Sequence, residues 1–134
     1  NGSYPEITIV KNYGKLSKVN CYANQINQVF LEIFTNAIDV LTTSDVGKTP
    51  TIFITSEMKD SETIRISIAD NGIGMSENIC KRVFDPFFTT KPVGEGTGLG
   101  LSISYQIITK QHNGEIHCSS QLGKGTEFII DIPI

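Results

Sequence analysis

Glycines occupy alternate positions from Gly94 to Gly100, directly before an apolar segment with helical periodicity. Glycines let the backbone approach a ligand closely, and the first turn of a helix presents unpaired N–H groups. This arrangement is typical of a phosphate-binding loop, although a flexible loop that ends at a helix has the same pattern. The stretch lacks the Gly-Lys-Ser/Thr ending of a Walker loop. It also does not fit a dinucleotide-binding fingerprint, because the glycines of that fingerprint directly follow a strand and these do not.

Glu32 and Asn36 are a second group of residues that could take part in binding or catalysis. They are four residues apart in a segment with helical periodicity, so their side chains lie on one face of the predicted helix. Asparagine is mildly unfavourable inside a helix, and its carbonyl oxygen is a hard ligand suited to Mg²⁺ on a nucleotide. A solvent-facing asparagine is the alternative, and spacing alone favours it.

A predicted strand, Thr63–Ile68, runs into Asp70, which begins the sequence Asp-Asn-Gly-Ile-Gly. An ionised carboxylate offers only acceptors, and an exocyclic amino group such as that of adenine supplies a donor. The glycines at Gly72 and Gly74 would keep the backbone close to a flat ligand. A turn in which the aspartate binds its own backbone explains the same residues.

Composition predicts one globular domain over residues 1–134, with a net charge of −3 that argues against a nucleic-acid-binding surface. No apolar run approaches the roughly 20 residues of a membrane helix, so no membrane contact is expected. The three cysteines are far apart and odd in number, which predicts a reduced cytoplasmic protein. The first residue is Asn1 rather than methionine, which predicts a fragment of a longer protein.

The apolar patterns predict the elements that must position these residues. A helical stripe predicts a long helix over Asn24–Thr42, a second helix follows the glycine loop to about Gln111, and Ser76 begins a short one. Alternating runs predict six strands: Ile7–Val10, Lys18–Tyr22, Thr51–Thr55, Thr63–Ile68, Glu115–Ser120 and Thr126–Ile132.

The segment Phe84–Phe88 contains three phenylalanines and a proline. Such a cluster outside regular structure is either a buried anchor or an exposed docking surface. The following residues, Thr89–Gly96, predict a mobile loop, and a lid over a ligand is its functional version. His112 at a helix end and His117 in a strand are ordinary placements without a predicted catalytic role.

The asparagine helix, the Asp-x-Gly-x-Gly turn, the phenylalanine segment and the glycine loop occur in a fixed order. Together they resemble the ATP-binding catalytic domain of bacterial sensor histidine kinases. That domain has the Bergerat ATP-binding fold, shared with type II topoisomerases, ninety-kilodalton heat-shock chaperones and mismatch-repair ATPases. The resemblance covers nearly the whole chain. It implies an α+β fold, a two-layer α/β sandwich whose mixed, mostly antiparallel sheet is covered by helices on one face.

The resemblance also implies a role for individual residues. Asn36 would ligate Mg²⁺, Asp70 would accept a hydrogen bond from the adenine amino group, and Thr126 would support the adenine pocket. Lys91 is the nearest obvious cation for the phosphates. The remaining positions expected beside ATP are Gly72, Gly74, Gly96, Thr97, Gly98, Leu99 and Gly100.

The implied function is a protein-histidine kinase in a two-component system. The chain would hold Mg²⁺-ATP and present the γ-phosphate to a histidine on a separate dimerising helical hairpin, with a response regulator downstream. This sequence contains no such hairpin, so the isolated chain is expected to be a monomer that does not phosphorylate itself.

Three positions depart from the family pattern. Kinases usually have asparagine at the position of Glu32, and many have Lys and Tyr or His at those of Asp39 and Val40. Glu32 resembles the topoisomerase branch, where the equivalent glutamate activates water. The alternative function is therefore an ATP hydrolase of a dimeric clamp, with Glu32 as general base. A degenerate nucleotide-binding module is a third possibility, weakened because every core motif residue is present.

Overall fold

A computed structural model describes residues 6–43, 48–89 and 99–134 of the chain. It contains five strands and three α-helices, and a π-helical turn at Ile107–Gln111 continues the third helix within these ranges. The elements are β1 (Thr8–Tyr13), α1 (Ala23–Thr43), β2 (Thr51–Asp60), β3 (Thr63–Asp70), α2 (Glu77–Cys80), α3 (Gly100–Gln106), β4 (Glu115–Gln121) and β5 (Gly125–Pro133).

The strands form one sheet in the order β1-β2-β3-β5-β4. β1 pairs with β2 in parallel, and the other three pairings are antiparallel. The parallel pair requires a crossover connection, which α1 provides between β1 and β2. The predicted fold class, an α/β sandwich with a mixed and mostly antiparallel sheet, is confirmed.

The core lies between α1 and one face of the sheet. Alternate residues of the central strands are buried there, as a sheet covered on one side requires. The helix contributes an apolar stripe at three- and four-residue spacing. The principal members of the core are Ile26, Val29, Ile33, Ala37 and Leu41 from α1, and Ile52, Ile68, Ile116, Phe128 and Ile130 from the sheet.

The predicted strand at Lys18–Tyr22 is wrong, because this segment leads into α1 without pairing with the sheet. The Tyr22 N–H donates instead to Nε2 of His112 at 3.0 Å, and the Tyr22 carbonyl accepts from the N–H groups of Gln25 and Ile26. Nδ1 of His112 lies 2.9 Å from the carbonyl oxygen of Ile107, to which it donates. His112 is therefore a buried structural link.

Asp131 is almost fully buried on the face of the sheet opposite α1. Arg65 donates to both of its oxygens, from Nε at 2.8 Å and from Nη2 at 2.9 Å, and Lys59 Nζ lies 3.3 Å away. The hydrogen bonds from Arg65 hold the pKa of Asp131 below its ordinary value, against the opposing effect of burial. This carboxylate is therefore stabilised in its charged form by the fold.

We predict that Asp131→Asn lowers the free energy of unfolding by about 1–2 kcal/mol at neutral pH, a value reduced by the partial exposure of Arg65. Because the folded pKa is lowered, the contribution is complete above the ordinary aspartate pKa. It is lost as the pH falls through the folded value. Urea titrations at several pH values test this.

The matched control is Asp85→Asn, which removes an exposed carboxylate 3.9 Å from Arg82. Exposed pairs of this kind contribute little, so the control should unfold like the parent. If both variants have equal stability, Asp131 does not have the structural role inferred here.

Candidate nucleotide-binding site

Glu32, Asn36 and Val40 are spaced one turn apart on α1 and form a column about 12 Å long. At one end the Glu32 carboxyl lies so close to Gly100 that a Cβ there would collide with it. At the other end a Cβ on Gly72 would lie 2.5 Å from Cγ1 of Val40. Asn36 is half-buried between the two. The column therefore connects the start of α3 with the glycine turn after β3.

Asp70 is buried at the end of β3. Its Oδ1 accepts the N–H of Gly72 at 2.9 Å, so the self-binding turn allowed by the sequence is present. Burial raises the pKa of Asp70, while the backbone N–H groups of Gly72 and Thr126 act in the opposite direction. A carboxylate has about four acceptor sites, so the turn leaves capacity for a ligand donor.

The turn is anchored by Asn71, which the sequence analysis passed over. Its Oδ1 accepts the N–H of Thr51 at 2.8 Å, and its Nδ2 donates to the Thr49 carbonyl at 2.8 Å. These bonds fix the backbone directly after Asp70 to the start of β2. Asparagine is common in turns for this reason, which is the signal that could have identified it.

Ser120 is the second residue that sequence reasoning missed. Its Oγ accepts the N–H of Met75 at 2.7 Å, lies 2.8 Å from Thr126 Oγ1 and donates to the Gly125 carbonyl at 2.9 Å. Ser120 and Thr126 are cross-strand partners on either side of the β4–β5 turn. Aligning the two strands about that turn would have paired them. Ser120 therefore joins Thr126 to the glycine turn.

The glycines on this side of the site permit close approach of the backbone. Gly74 has φ +73°, and a Cβ on it would collide with the Gln121 carbonyl oxygen. Gly125 has φ +105° and lies in the same way against the Asp70 carbonyl oxygen. Both positions require glycine for conformation and for space.

The structure brings together several predicted site residues. Asp70 and Thr126 are paired neighbours in the sheet, and Gly72 and Gly100 lie at the two ends of the α1 column. Leu99 caps α3, and its carbonyl oxygen accepts the Ile103 N–H at 2.8 Å. Four predicted residues, Lys91, Gly96, Thr97 and Gly98, lie outside the described residues, as does nearly all of the predicted lid.

The phenylalanine segment combines an anchor with an exposed side chain. The ring of Phe84 lies 5.5 Å from that of Tyr105 and 6.1 Å from that of Phe128. Phe87 is 74% exposed and has φ 65°, an unusual conformation for a bulky residue. Ile103 and Tyr105 on α3 are also exposed. The segment therefore contains both a packed aromatic anchor, Phe84, and an exposed apolar side chain, Phe87.

The sequence model of the histidine kinase-, DNA gyrase B- and HSP90-like ATPases matches residues 21–134. The chain belongs to this family. This ATPase-family domain is 47% identical to Sporulation kinase E of Bacillus subtilis over 116 residues, which is 87% of the chain and 15% of that kinase. The chain thus spans a small part of its curated relative.

Solved structures place the domain among histidine kinase catalytic domains, as the sequence motifs predicted. The catalytic domain of histidine kinase ThkA is 33% identical with a TM-score of 0.78, over 95% of this chain and 80% of that one. Full-length ShkA in complex with AMPPNP is 25% identical with a TM-score of 0.80, over 95% of this chain and 25% of the ShkA chain. A structure of ThkA in complex with the response regulator TrrA is also similar. Its kinase chain is 30% identical with a TM-score of 0.73, over 95% of this chain and 34% of that one.

Gly125 and Gly123 provide a matched test of the close approach at Asp70. Both have positive φ, but a Cβ on Gly123 would meet nothing within 4 Å. We predict that Gly125→Ala combines left-handed strain of about 1–2 kcal/mol with an overpacking cost of about 1–3 kcal/mol. Gly123→Ala should carry only the first of these. Chemical denaturation measures both, and equal losses would contradict the inferred contact.

Proposed function

We propose that this domain binds Mg²⁺-ATP between α1 and the glycine turn and presents the γ-phosphate to a histidine on a separate dimerisation domain. The observation that carries the proposal is the α1 column, which connects the Asp70 turn at Gly72 with the start of α3 at Gly100. A nucleotide laid along it would have its base at Asp70 and its phosphates at the glycine loop. The AMPPNP complex of the similar kinase ShkA supports this assignment.

Asp70 would accept a hydrogen bond from the adenine amino group. Its burial raises its pKa, so the fold holds the carboxylate without full compensation of its charge. Perturbed groups of this kind are enriched at functional sites. Thr126 and Ser120 would support the same pocket, because their hydroxyl groups connect β5 with the turn that follows Asp70.

Asn36, with Glu32 one turn away, would hold the metal. Among residues 6–43, 48–89 and 99–134, no three or more His, Cys, Asp or Glu side chains gather as a metal cage. Mg²⁺ commonly takes one or two protein oxygens and completes its shell with phosphates and water, so this sparse set of donors fits. When bound, the ion would neutralise part of the phosphate charge.

The nucleophile would come from outside the domain. Both ring nitrogens of His112 are engaged within the fold, and the ring is buried. His117 lies on the sheet face opposite the core, with Nε2 3.5 Å from Glu115 Oε2. Phosphoryl transfer depends mainly on positioning and charge stabilisation, so an ATP-holding domain can serve a histidine carried elsewhere.

The proposed partners are a helical dimerisation domain, with its phosphate-accepting histidine, and a response regulator. The exposed apolar side chains of Phe87, Ile103 and Tyr105 would suit contact with such a helical domain. The complex of the similar kinase ThkA with TrrA supports the second partner. We also propose a cytoplasmic location and a monomeric isolated domain. No helix in the described ranges is long and apolar enough to span a membrane.

One observation favours a second function, ATP hydrolysis with Glu32 as general base. The Glu32 carboxyl lies at the start of α3, at the end of the column assigned to the phosphates. A base acts only when a water lies between it and the reacting phosphate. The relatives named above are kinases, which is why phosphotransfer is the first proposal.

Turnover distinguishes the two functions. As a kinase domain, the chain alone should bind ATP without brisk hydrolysis or self-phosphorylation. Adding a histidine-bearing hairpin should restore phosphotransfer, and Glu32→Gln should have little effect on it. Radiolabelled ATP follows both reactions in one assay. Brisk hydrolysis by the isolated chain, stopped by Glu32→Gln, would establish the hydrolase instead.

We predict that Asp70→Asn weakens ATP binding roughly ten- to hundredfold, because an amide donor replaces an acceptor opposite the adenine amino group. Stability without nucleotide should change by less than about 1 kcal/mol, since the raised pKa means that the charge itself disfavours the fold at neutral pH. Calorimetry measures the affinity, and thermal unfolding measures the stability. Unchanged affinity would remove Asp70 from the site.

We predict that Asn36→Ala abolishes most of the difference between Mg²⁺-ATP and metal-free ATP binding while the fold is preserved. The reason is that the amide oxygen supplies a hard ligand that alanine lacks. Calorimetry with and without the metal gives the comparison. Thr35→Ala, an exposed neighbour on the same helix, is the control. Metal dependence that survives in Asn36→Ala would support the solvent-facing alternative.

A further inference from the structure

Two cysteines with no part in the proposed chemistry lie side by side next to the site. Cys80 ends α2 and Cys118 lies within β4, and their Sγ atoms are 3.2 Å apart. Both are free thiols, and both are half-buried. A disulfide bond is about 2 Å long. The two sulfur atoms therefore need to approach by little more than 1 Å to bond.

The two segments that carry the cysteines differ in rigidity. β4 is paired with β5 along its whole length from Glu115 to Gln121, so its backbone is fixed by the sheet. α2 is a helix of four residues with no buried member. The closing movement would therefore come from α2. Because α2 can move toward the fixed strand, Cys80 can reach bonding distance of Cys118.

α2 is continuous with the turn that follows Asp70. Ser76 caps α2, and the N–H of the preceding residue, Met75, donates to Ser120 Oγ at 2.7 Å. Ser120 is two residues beyond Cys118 on the same face of β4. A Cys80–Cys118 bond would add a covalent connection beside this hydrogen bond, so the turn would be attached to β4 at both ends of α2.

We propose that Cys80 and Cys118 form a reversible redox pair that a low-molecular-weight disulfide converts into an intramolecular disulfide. The Cys80 thiolate attacks one sulfur of the reagent, which gives a mixed disulfide and releases one thiol. Cys118 then loses its proton to solvent and attacks Cys80 Sγ, which releases the second thiol. The two protein thiols lose two electrons in total, and the reagent gains them as two thiols.

The order of the two steps follows from the surroundings of Cys118. Burial, and then the contact with Cys80, raise the pKa of Cys118 well above its ordinary value. This thiol stays protonated at neutral pH and does not act as the first nucleophile, because the thiolate is the reactive form. Cys80 reacts first, and the second step should accelerate as the pH rises.

The test uses the chain with Cys21→Ser, which removes the exposed third cysteine. Oxidised glutathione is added, and the digested protein is analysed by mass spectrometry. We expect a Cys80–Cys118 cross-linked peptide that dithiothreitol removes. The bond encloses a loop between residues 38 positions apart, so the oxidised protein should melt about 5 °C or more higher.

Cys80→Ser and Cys118→Ser in the same background are the matched controls. Each should form at most a mixed disulfide, with no rise in melting temperature. The proposal is overturned if both thiols remain free to alkylation, if the reagent gives mixed disulfides alone, or if the cross-link lowers the melting temperature. Cross-linking only in denaturant would also overturn it.

The consequence for nucleotide binding rests on the proposed function. Oxidation should weaken ATP binding at least about fivefold, because moving α2 toward β4 would strain the Met75–Ser120 hydrogen bond that holds the turn after Asp70. Equal affinity of the reduced and oxidised forms would overturn this link. Failure of the reduced protein to bind ATP would count against the proposed function alone, since the cross-link and its melting shift are measured without nucleotide.

Discussion

The close approach of β5 to the end of β3 is the constraint on which the candidate site depends. Gly125 has no side chain, and its backbone lies directly against the Asp70 carbonyl, where a Cβ could not fit. This contact makes Thr126 the partner of Asp70 in the sheet, and Ser120 the partner of Thr126 in the next strand. Three side chains from three strands thereby meet at one end of the sheet. The turn after Asp70 is then bound to this group through Met75.

Two buried carboxylates, Asp131 and Asp70, lie on opposite faces of the same sheet and differ in how well the fold compensates their charge. Asp131 has Arg65 and Lys59 as partners, and its pKa is lowered. The groups that act on Asp70, among the described residues, are backbone N–H groups, and its pKa is raised. The fold therefore satisfies the charge of Asp131 and leaves that of Asp70 only partly compensated. A ligand that donates a hydrogen bond to Asp70 would supply the missing interaction. Such a site loses some stability without the ligand and gains affinity for it.

Much of this architecture could be predicted because strong periodic patterns decide it. The stripe of α1 and the alternation in β2, β3, β4 and β5 gave the right elements, with bounds off by a few residues. The strand predicted at Lys18–Tyr22 failed because long-range contacts decide that segment: His112, ninety residues away, binds the Tyr22 N–H. The π-helical turn at Ile107–Gln111 was missed for a different reason, since helical periodicity does not distinguish it from an α-helix.

Sequence patterns singled out the candidate site residues but not the residues that support them. Asp70 and Asn36 could be singled out because a carboxylate at a strand end and an amide within a helix both need an explanation. Ser120 and Asn71 looked ordinary, since a serine in a strand and an asparagine in a turn need none. The role of Ser120 appears only when strand pairing brings it to Thr126 and Met75, and that of Asn71 only when its side chain is seen to bind Thr49 and Thr51. Sequence patterns identify groups that could touch a ligand, whereas the groups that orient them depend on the register of the sheet.

Glu32 places a negative charge in the proposed site, next to the position proposed for the phosphates. Its carboxylate lies at the start of α3, where the positive end of the helix dipole stabilises a negative charge. A triphosphate at the same place would meet this charge at short range, and like charges in a cleft repel more strongly than in water. In the proposed complex, a divalent cation held by Asn36 would offset both. In that complex, the acidic residue at this position would therefore make nucleotide binding depend on the metal more strongly than an asparagine would.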